Sequence, residues 1–335
     1  MAASETLEVR DLRIAFAGAP HVVRDVSFTL PAGMAMGLVG ESGSGKSLTL
    51  RAILGLLPAK ARATGRITYG DSSLLELSPR AFQRLRGSRI GMVFQDPATA
   101  LNPVLRVGDA IGQVVEAHEH VGRRQARQRA IESMERVGIR DAEGRSRAYP
   151  HEFSGGMRQR IVIAMALAAR PSLLLADEPT TALDVVVQAE ILRLLDVLRR
   201  EDGMSLLLVS HDFGVVAGIC EQIGVMYAGE LVELGPTRSV LFEACHPYTI
   251  GLSESLPETH PDLGRLPSIP GSPPEAGAVT PGCAFAPRCG YVSPECEAGK
   301  IELLDIGTGR LARCIHVDRV IAARTAAPAG EVACG

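Results

Sequence analysis

No stretch of this 335-residue chain is apolar for long: the longest uninterrupted run, Ile161 to Ala169, has nine residues and lies between Arg160 and Arg170. A helix that crosses a bilayer needs about 20, so no membrane span is expected. An excess of one charge is lacking too. Lys+Arg number 35 against Asp+Glu 38, a formal net charge of −3, which offers no global basic field to a nucleic acid. Met1 to Arg10 contains Glu5 and Glu8 and no apolar core, so a secretory signal is not expected and the address read from the sequence is cytosolic. In that reducing compartment the seven cysteines read first as metal ligands or free thiols, not as disulfides. No internal repeat is visible. The length suggests one domain of about 230–250 residues with a smaller appendage.

What the chain does have is a complete G-x-x-x-x-G-K-S pattern, Gly40-Glu41-Ser42-Gly43-Ser44-Gly45-Lys46-Ser47. It follows the apolar segment Met34 to Val39, read as a buried strand, and opens Lys46 to Leu57, rich in Leu, Ile and Ala and read as a helix. Glycines let successive backbone N–H groups curl around phosphates, the lysine reaches the β and γ phosphates, and the serine hydroxyl serves Mg²⁺. The helix N-terminus behind them favours anions. Strand, loop and helix in this order predict a nucleoside-triphosphate site.

Around that loop, Leu7 to Phe16 and Val22 to Leu30 alternate at period two, as half-buried antiparallel strands do. Strand-like runs recur at Arg66 to Tyr69, Ile90 to Gln95, Leu173 to Asp177, Ser205 to Ser210 and Gly224 to Tyr227. Helical patterns between them give the alternation of an α/β sheet. Ser78-Pro79 reads as an N-cap and first-turn proline opening a helix through Arg86. Arg106 to Arg147 is charged, helical and without a strand candidate, an inserted helical subdomain. From Leu256 onward the regularity stops. Nine of the 21 prolines fall in Pro257 to Pro294, which marks a boundary and a loop-rich tail.

Two further patterns carry chemistry. Leu173 to Asp177 is an apolar strand ending in Asp177-Glu178, placed to hold Mg²⁺ with the first acid and activate water with the second. A strand ending at a solvated acidic turn is the plain alternative. Phe153 to Arg160, with Ser154-Gly155-Gly156, stands immediately before the helical run Ile161 to Ala169, a second anion site at a helix N-terminus, or simply a serine cap with two turn glycines.

Taken together, these motifs resemble the nucleotide-binding subunits of ABC transporters. The resemblance rests on the phosphate loop, the acidic strand end, Ser154-Gly155-Gly156 about twenty positions before Asp177, Phe16, Gln95, Ala182-Leu183-Asp184 and His211, all in the family's order over residues 5–250. It implies an ABC-type P-loop ATPase domain over 5–255, with a RecA-like core, an N-terminal antiparallel β subdomain and a helical subdomain over about 106–170. A C-terminal extension covers 256–335. By the same resemblance ATP would be bound by Gly40 to Ser47 and Leu48, with adenine stacked on Phe16. Mg²⁺ would be held by Ser47 and Asp177, with Gln95 contacting the ion or the lytic water, Glu178 as general base and His211 at the γ phosphate. Ser154, Gly155, Gly156 and Asp184 would act on the ATP of a second cassette, because the chain holds one phosphate loop and one signature. Met157 departs from the glutamine that many members carry there.

Val93 to Pro97, Tyr149 to Arg160 and Ala176 to Asp184 look like the ATPases of bacterial dipeptide and oligopeptide importers, a group shared with nickel importers. Met157 and Thr180-Thr181 are similar to the first of two paralogous ATPases. His246 to Thr249 and Ile269 to Gly271 match that group's extension. The implied partners are the paralogous ATPase, two membrane permease subunits and an extracytoplasmic peptide-binding protein, with this chain on the cytoplasmic face of the membrane and no nucleic acid bound. Rival readings are a nickel-importer ATPase, an exporter ATPase, a non-transport ABC ATPase acting on DNA or ribosomes, and an iron–sulfur regulatory or assembly protein.

Within the tail, Cys283, Cys289, Cys296 and Cys314 are separated by five, six and seventeen residues. These gaps exceed the two to four usual inside zinc-ligand pairs. Resemblance to cysteine-bearing members favours a [4Fe–4S] cluster over Zn²⁺ or unliganded thiols, with His316 as a substitute ligand. Cys220, Cys245 and Cys334 stand outside the group, the first two as buried small apolar residues.

Overall fold

Period-two alternation builds the first two strands, β1 (Leu7–Phe16) and β2 (His21–Leu30), but both change phase once. In β1 the buried positions run Leu7, Val9, then Leu12, Ile14; in β2 they run Val23, then Val26, Phe28, Leu30. The slips coincide with Asp11 and Asp25, whose φ values are +48° and +47°. One extra residue at each point turns the next side chain back to the core, as a bulge does.

The structure, a computed structural model, describes residues 5–119, 121–181, 183–256, 268–275, 277–278 and 280–326. After β2 come β3 (Ala35–Val39), α1 (Lys46–Ile53), β4 (Ala61–Tyr69), β5 (Ser72–Ser73), α2 (Pro79–Leu85) and β6 (Ile90–Val93). Then follow α3 (Pro97–Ala100), α4 (Val107–Glu119), α5 (Arg123–Arg136), α6 (Ala142–Arg145), α7 (Gly155–Leu167), β7 (Leu173–Asp177) and α8 (Val185–Asp202). The chain continues through β8 (Ser205–Ser210), α9 (Phe213–Ala217), β9 (Gln222–Tyr227), β10 (Glu230–Pro236), α10 (Thr237–Phe242) and α11 (Pro247–Glu254). It ends in β11 (Leu304–Gly307), β12 (Arg310–Ala312) and α12 (Val317–Ala326). No described helix is long and apolar enough to cross a membrane.

Two compact units emerge. One comprises residues 5–7, 29–35 and 68–208. Here β6 and β7 pair in parallel with Val93 opposite Ala176, and the segment 106–147, in which no strand was expected, forms α4, α5 and α6. Ser78 caps α2 by accepting from the Ala81 N–H, with Pro79 in the first turn, as the sequence suggested.

The other unit comprises residues 8–28, 36–67 and 209 onward. Its larger sheet runs β11-β12-β10-β9-β3. β3 and β9 are parallel, Met36 facing Gln222 and Val39 facing Val225, while β9, β10, β12 and β11 pair antiparallel. The smaller sheet contributes β2-β1-β4. Two features depart from the loop-rich tail expected from Leu256 onward. The hairpin of β11 and β12 and the helix α12 are regular structure, and the hairpin turns at Gly307-Thr308-Gly309, all three at positive φ. The phosphate loop and the extension belong to the same unit.

Candidate active site

The phosphate loop leaves the end of β3, all five residues of which are buried. Gly40 has φ +149°, and a Cβ there would lie 2.1 Å from the Met226 carbonyl oxygen at the end of β9. Only glycine lets the loop pass so close to that strand. Gly45, φ +98°, is the N-cap of α1, where no side chain caps the helix. Lys46 is 5% exposed, and its ammonium donates to Gly40 O at 2.7 Å, Glu41 O at 2.9 Å and Ser44 Oγ at 3.3 Å. A buried cation at the mouth of a helix N-terminus suits a polyphosphate. Beside it a cavity of about 500 Å³ is walled by Phe16, Ala19, Pro20, Val22, Leu48 and Gly277. Its apolar lining fits a base and ribose, with Phe16 available to stack. Ser47 is half-buried at the second position of α1.

The acids stand in the other unit. Val93 of β6 lies opposite Ala176 of β7, so the residues two places on, Gln95 and Glu178, leave neighbouring strand ends together. Gln95 Nε2 donates to Glu178 Oε2 at 3.1 Å, and Thr181 Oγ1 donates to the same oxygen at 2.9 Å. Glu178 has φ +47°, a conformation that costs a non-glycine residue energy and is tolerated where surroundings fix it. Asp177 is buried at the end of β7. A carboxylate is a hard oxygen donor of the kind Mg²⁺ takes. His211 is exposed just past β8, and the next residue, Asp212, caps α9 by accepting from the Val215 N–H at 3.1 Å.

Ser154 caps α7, a 13-residue helix, accepting from the Met157 N–H at 3.4 Å, and Gly155 and Gly156 form its first turn. A Cβ on Gly156 would meet Val187 Cγ1 at 2.6 Å, which accounts for glycine there by packing. Met157 receives Arg145 Nη1 on its sulfur at 3.7 Å, and its backbone N–H still serves the cap. Asp184 caps α8, accepting from the Val187 N–H at 3.0 Å. Ala182 of the same motif lies outside the described residues.

The ABC transporter family matches residues 23–181. A curated relative, the oligopeptide transport ATP-binding protein OppD of Salmonella typhimurium, is 48% identical over 258 residues, covering 76% of this chain and 77% of that protein. The chain belongs to the ATP-binding subunits of ABC transporters. The dipeptide transport ATP-binding protein DppD of Bacillus subtilis is 46% identical over the same shares. The oligopeptide/dipeptide transporter C-terminal region matches residues 232–296, so this ATPase carries the extension of the peptide-transport branch. Among solved structures, a dimeric ATP-binding cassette in a post-hydrolysis state with ADP and Pi has TM-score 0.62 and 27% identity. It covers 69% of this chain and 99% of that one. A Clostridium perfringens cassette, part of the cbiONQ complex, has TM-score 0.63 at 27% identity, over 72% and 92%. ABC cassette fold and ATPase class therefore stand as read from the motifs.

In the ATPase's extension, Cys283 and Cys296 are tied by a backbone hydrogen bond, Cys283 N to Cys296 O at 2.7 Å. Gly282 allows it, since a Cβ there would stand 2.0 Å from Cys296 O. Tyr291 N donates to Cys289 Sγ and His316 N to Cys314 Sγ, both at 3.4 Å. Burial first, with the neighbouring cysteines adding to it, pushes the Cys283 and Cys314 thiols up to about 11 and raises that of Cys289. Tail residues far apart in sequence are thus brought within electrostatic reach, where a bound cation would relieve the repulsion between thiolates. Even so, among the described residues no three His, Cys, Asp or Glu converge closely enough to hold a metal ion. His316 instead pairs through Nε2 with Ser293 Oγ at 2.8 Å. Cys220 and Cys245 are buried, as expected, and Cys334 lies outside the described residues. The sequence reading missed Thr181, which steadies Glu178, and Ala19, Pro20, Val22 and Gly277 in the cavity wall. Only Thr181, beside the acidic strand end, carried a local signal.

Proposed function

We propose that this ATPase drives the import of oligopeptides or dipeptides through membrane permease subunits, from the cytoplasmic face of the membrane. The observation that carries the reading is the conjunction of one phosphate loop and one signature serine with a peptide-transporter extension on the same chain. A single set of half-sites supports pairing with a second cassette, and resemblance to the first of two paralogues favours a heterodimer. The working division is a nucleotide-binding domain over 5–255, a helical subdomain over 106–170 within it, and the extension over 256–335.

In this reading Lys46 and the α1 N-terminus bind the β and γ phosphates, and Phe16 and Leu48 hold the base side. Glu178, oriented by Thr181, takes the proton of the attacking water, while His211 touches the γ phosphate. Ser47, Asp177 and Gln95 would hold Mg²⁺, which supplies neutralisation of phosphate charge. Ser154, Gly155, Gly156 and Asp184 face the partner's nucleotide. Catalysis is positioning and electrostatics more than covalent chemistry. With the permeases and an extracytoplasmic binding protein reconstituted, hydrolysis should rise with peptide and not with nickel. Stimulation by nickel alone would replace the peptide reading with the metal-importer one.

The four tail cysteines are proposed to hold a [4Fe–4S] cluster. Such a cluster is bonded at four corners, so its thiolates stand farther apart than ligands sharing one ion, in keeping with a group gathered but not convergent. Protein purified without oxygen should be brown and contain iron; colourless protein with stoichiometric zinc would overturn the assignment.

A further inference from the structure

Glu41 occupies a position that the phosphate-loop pattern leaves open, and an acid is an unexpected choice beside a site for a polyanion. Its carboxylate is gripped by Arg288 of the extension in a two-pronged ion pair, Nη1 to Oε2 at 2.9 Å and Nη2 to Oε1 at 3.0 Å. The pair joins positions 247 residues apart, and the Arg288 side chain is 6% exposed. The guanidinium is itself fixed: Nε donates to Pro270 O at 2.7 Å, Nη1 to the Tyr227 hydroxyl at 3.2 Å, and its Cζ lies 5.7 Å from the centroids of both the Tyr227 and Phe285 rings. Glu41 is held at its backbone as well. Its N–H donates to the buried Tyr248 hydroxyl at 2.8 Å, and its carbonyl accepts from Lys46 Nζ at 2.9 Å. The carbonyl oxygen that shares the phosphate-binding ammonium and the carboxylate that Arg288 neutralises are therefore on one residue.

We propose that Arg288 is a positioning residue for the ATP site, which fixes the first turn of the phosphate loop and cancels the Glu41 charge, so that the C-terminal extension sets nucleotide affinity. A bidentate guanidinium–carboxylate pair imposes both charge and direction. Without it Glu41 becomes an uncompensated anion next to incoming phosphates, and the loop must be ordered at the moment of binding. The adjacent residue, Cys289, belongs to the cysteine group, so the state of that module reaches the loop through a single peptide unit.

The inference rests on ATP binding by Gly40 to Ser47, and the two can fail separately. Affinity is read on the purified full chain with a fluorescent ATP analogue, and KM and kcat on the assembled transporter. Arg288→Gln should raise Kd and KM about tenfold, equivalent to about 1.4 kcal/mol, with kcat changed less than about twofold if binding alone is affected. Adding Glu41→Gln to Arg288→Gln should recover most of the lost affinity, because the stranded charge is gone; a merely structural loss would not be reversed. Wild-type or tighter binding by Arg288→Gln, or a double variant no better than the single, overturns the proposal. Should Arg288→Gln fail to fold by thermal melting, Arg288→Lys carries the test, keeping charge without the fork and raising Kd about threefold; an unchanged Kd would overturn it. A wild-type chain that does not bind the analogue would sink the underlying ATP reading instead.

Discussion

Replacing Glu178 by Gln should leave ATP binding intact and slow steady-state hydrolysis in the assembled transporter by about 10²–10⁴-fold, the usual worth of a positioned general base. The change is close to isosteric. An amide oxygen can still accept from Thr181 Oγ1, so the 2.9 Å contact that orients the side chain survives, and the positive φ of residue 178 is asked of a residue of the same shape. What disappears is the capacity to take a proton from water. Equilibrium binding of an ATP analogue and single-turnover hydrolysis separate the two effects, and near-normal turnover would remove Glu178 from the role of base.

Replacing Lys46 by Ala acts at the opposite end of the cycle. Lys46 is 5% exposed and its ammonium is bound by three oxygens of its own loop, so those acceptors lose their donor when it is cut away. Hydrogen bonds to charged groups contribute about 1.5–3 kcal/mol each, and two such bonds to phosphate correspond to a loss of ATP affinity of about 10²–10⁴-fold. Calorimetric titration with ATP reads it. Binding within a few-fold of wild type would mean that the backbone cradle alone carries the phosphates.

Much of this site was legible because its residues have local reasons. A short buried strand, a glycine turn and a helix are neighbours in sequence, and β7 and β8 appear with the bounds that their apolar runs suggested. Capping residues were equally plain: Ser78 and Ser154 lie directly before the helices they cap. Other features have no local signature. The pairing of Gln95 with Glu178 follows from strand register, which motif order suggests but cannot prove. The phase slips at Asp11 and Asp25 require a backbone conformation that composition does not announce. The β11–β12 hairpin is short and largely exposed along β11, so its alternation is too weak to register; Gly307 and Gly309 were its one cue. Arg288 and Glu41 meet across most of the chain, and nothing near either residue hints at the other.

The antiparallel attachment of β12 to β10 means that the extension is also the cover of a sheet edge. Exposed edges invite pairing with other chains, and β10 without β12 would offer such a margin. Beneath it, Glu233 is fully buried, accepts the Cys245 and His246 N–H groups at 2.9 Å, and has Arg310 of β12 at 3.7 Å. Cutting the chain where its prolines begin would therefore do more than shed an appendage. It would bare a strand's hydrogen-bonding rim and strip a buried carboxylate of its cation, a loss that costs far more than the pair contributes when whole. The shortest self-sufficient form of this cassette is longer than the span of its nucleotide-binding motifs.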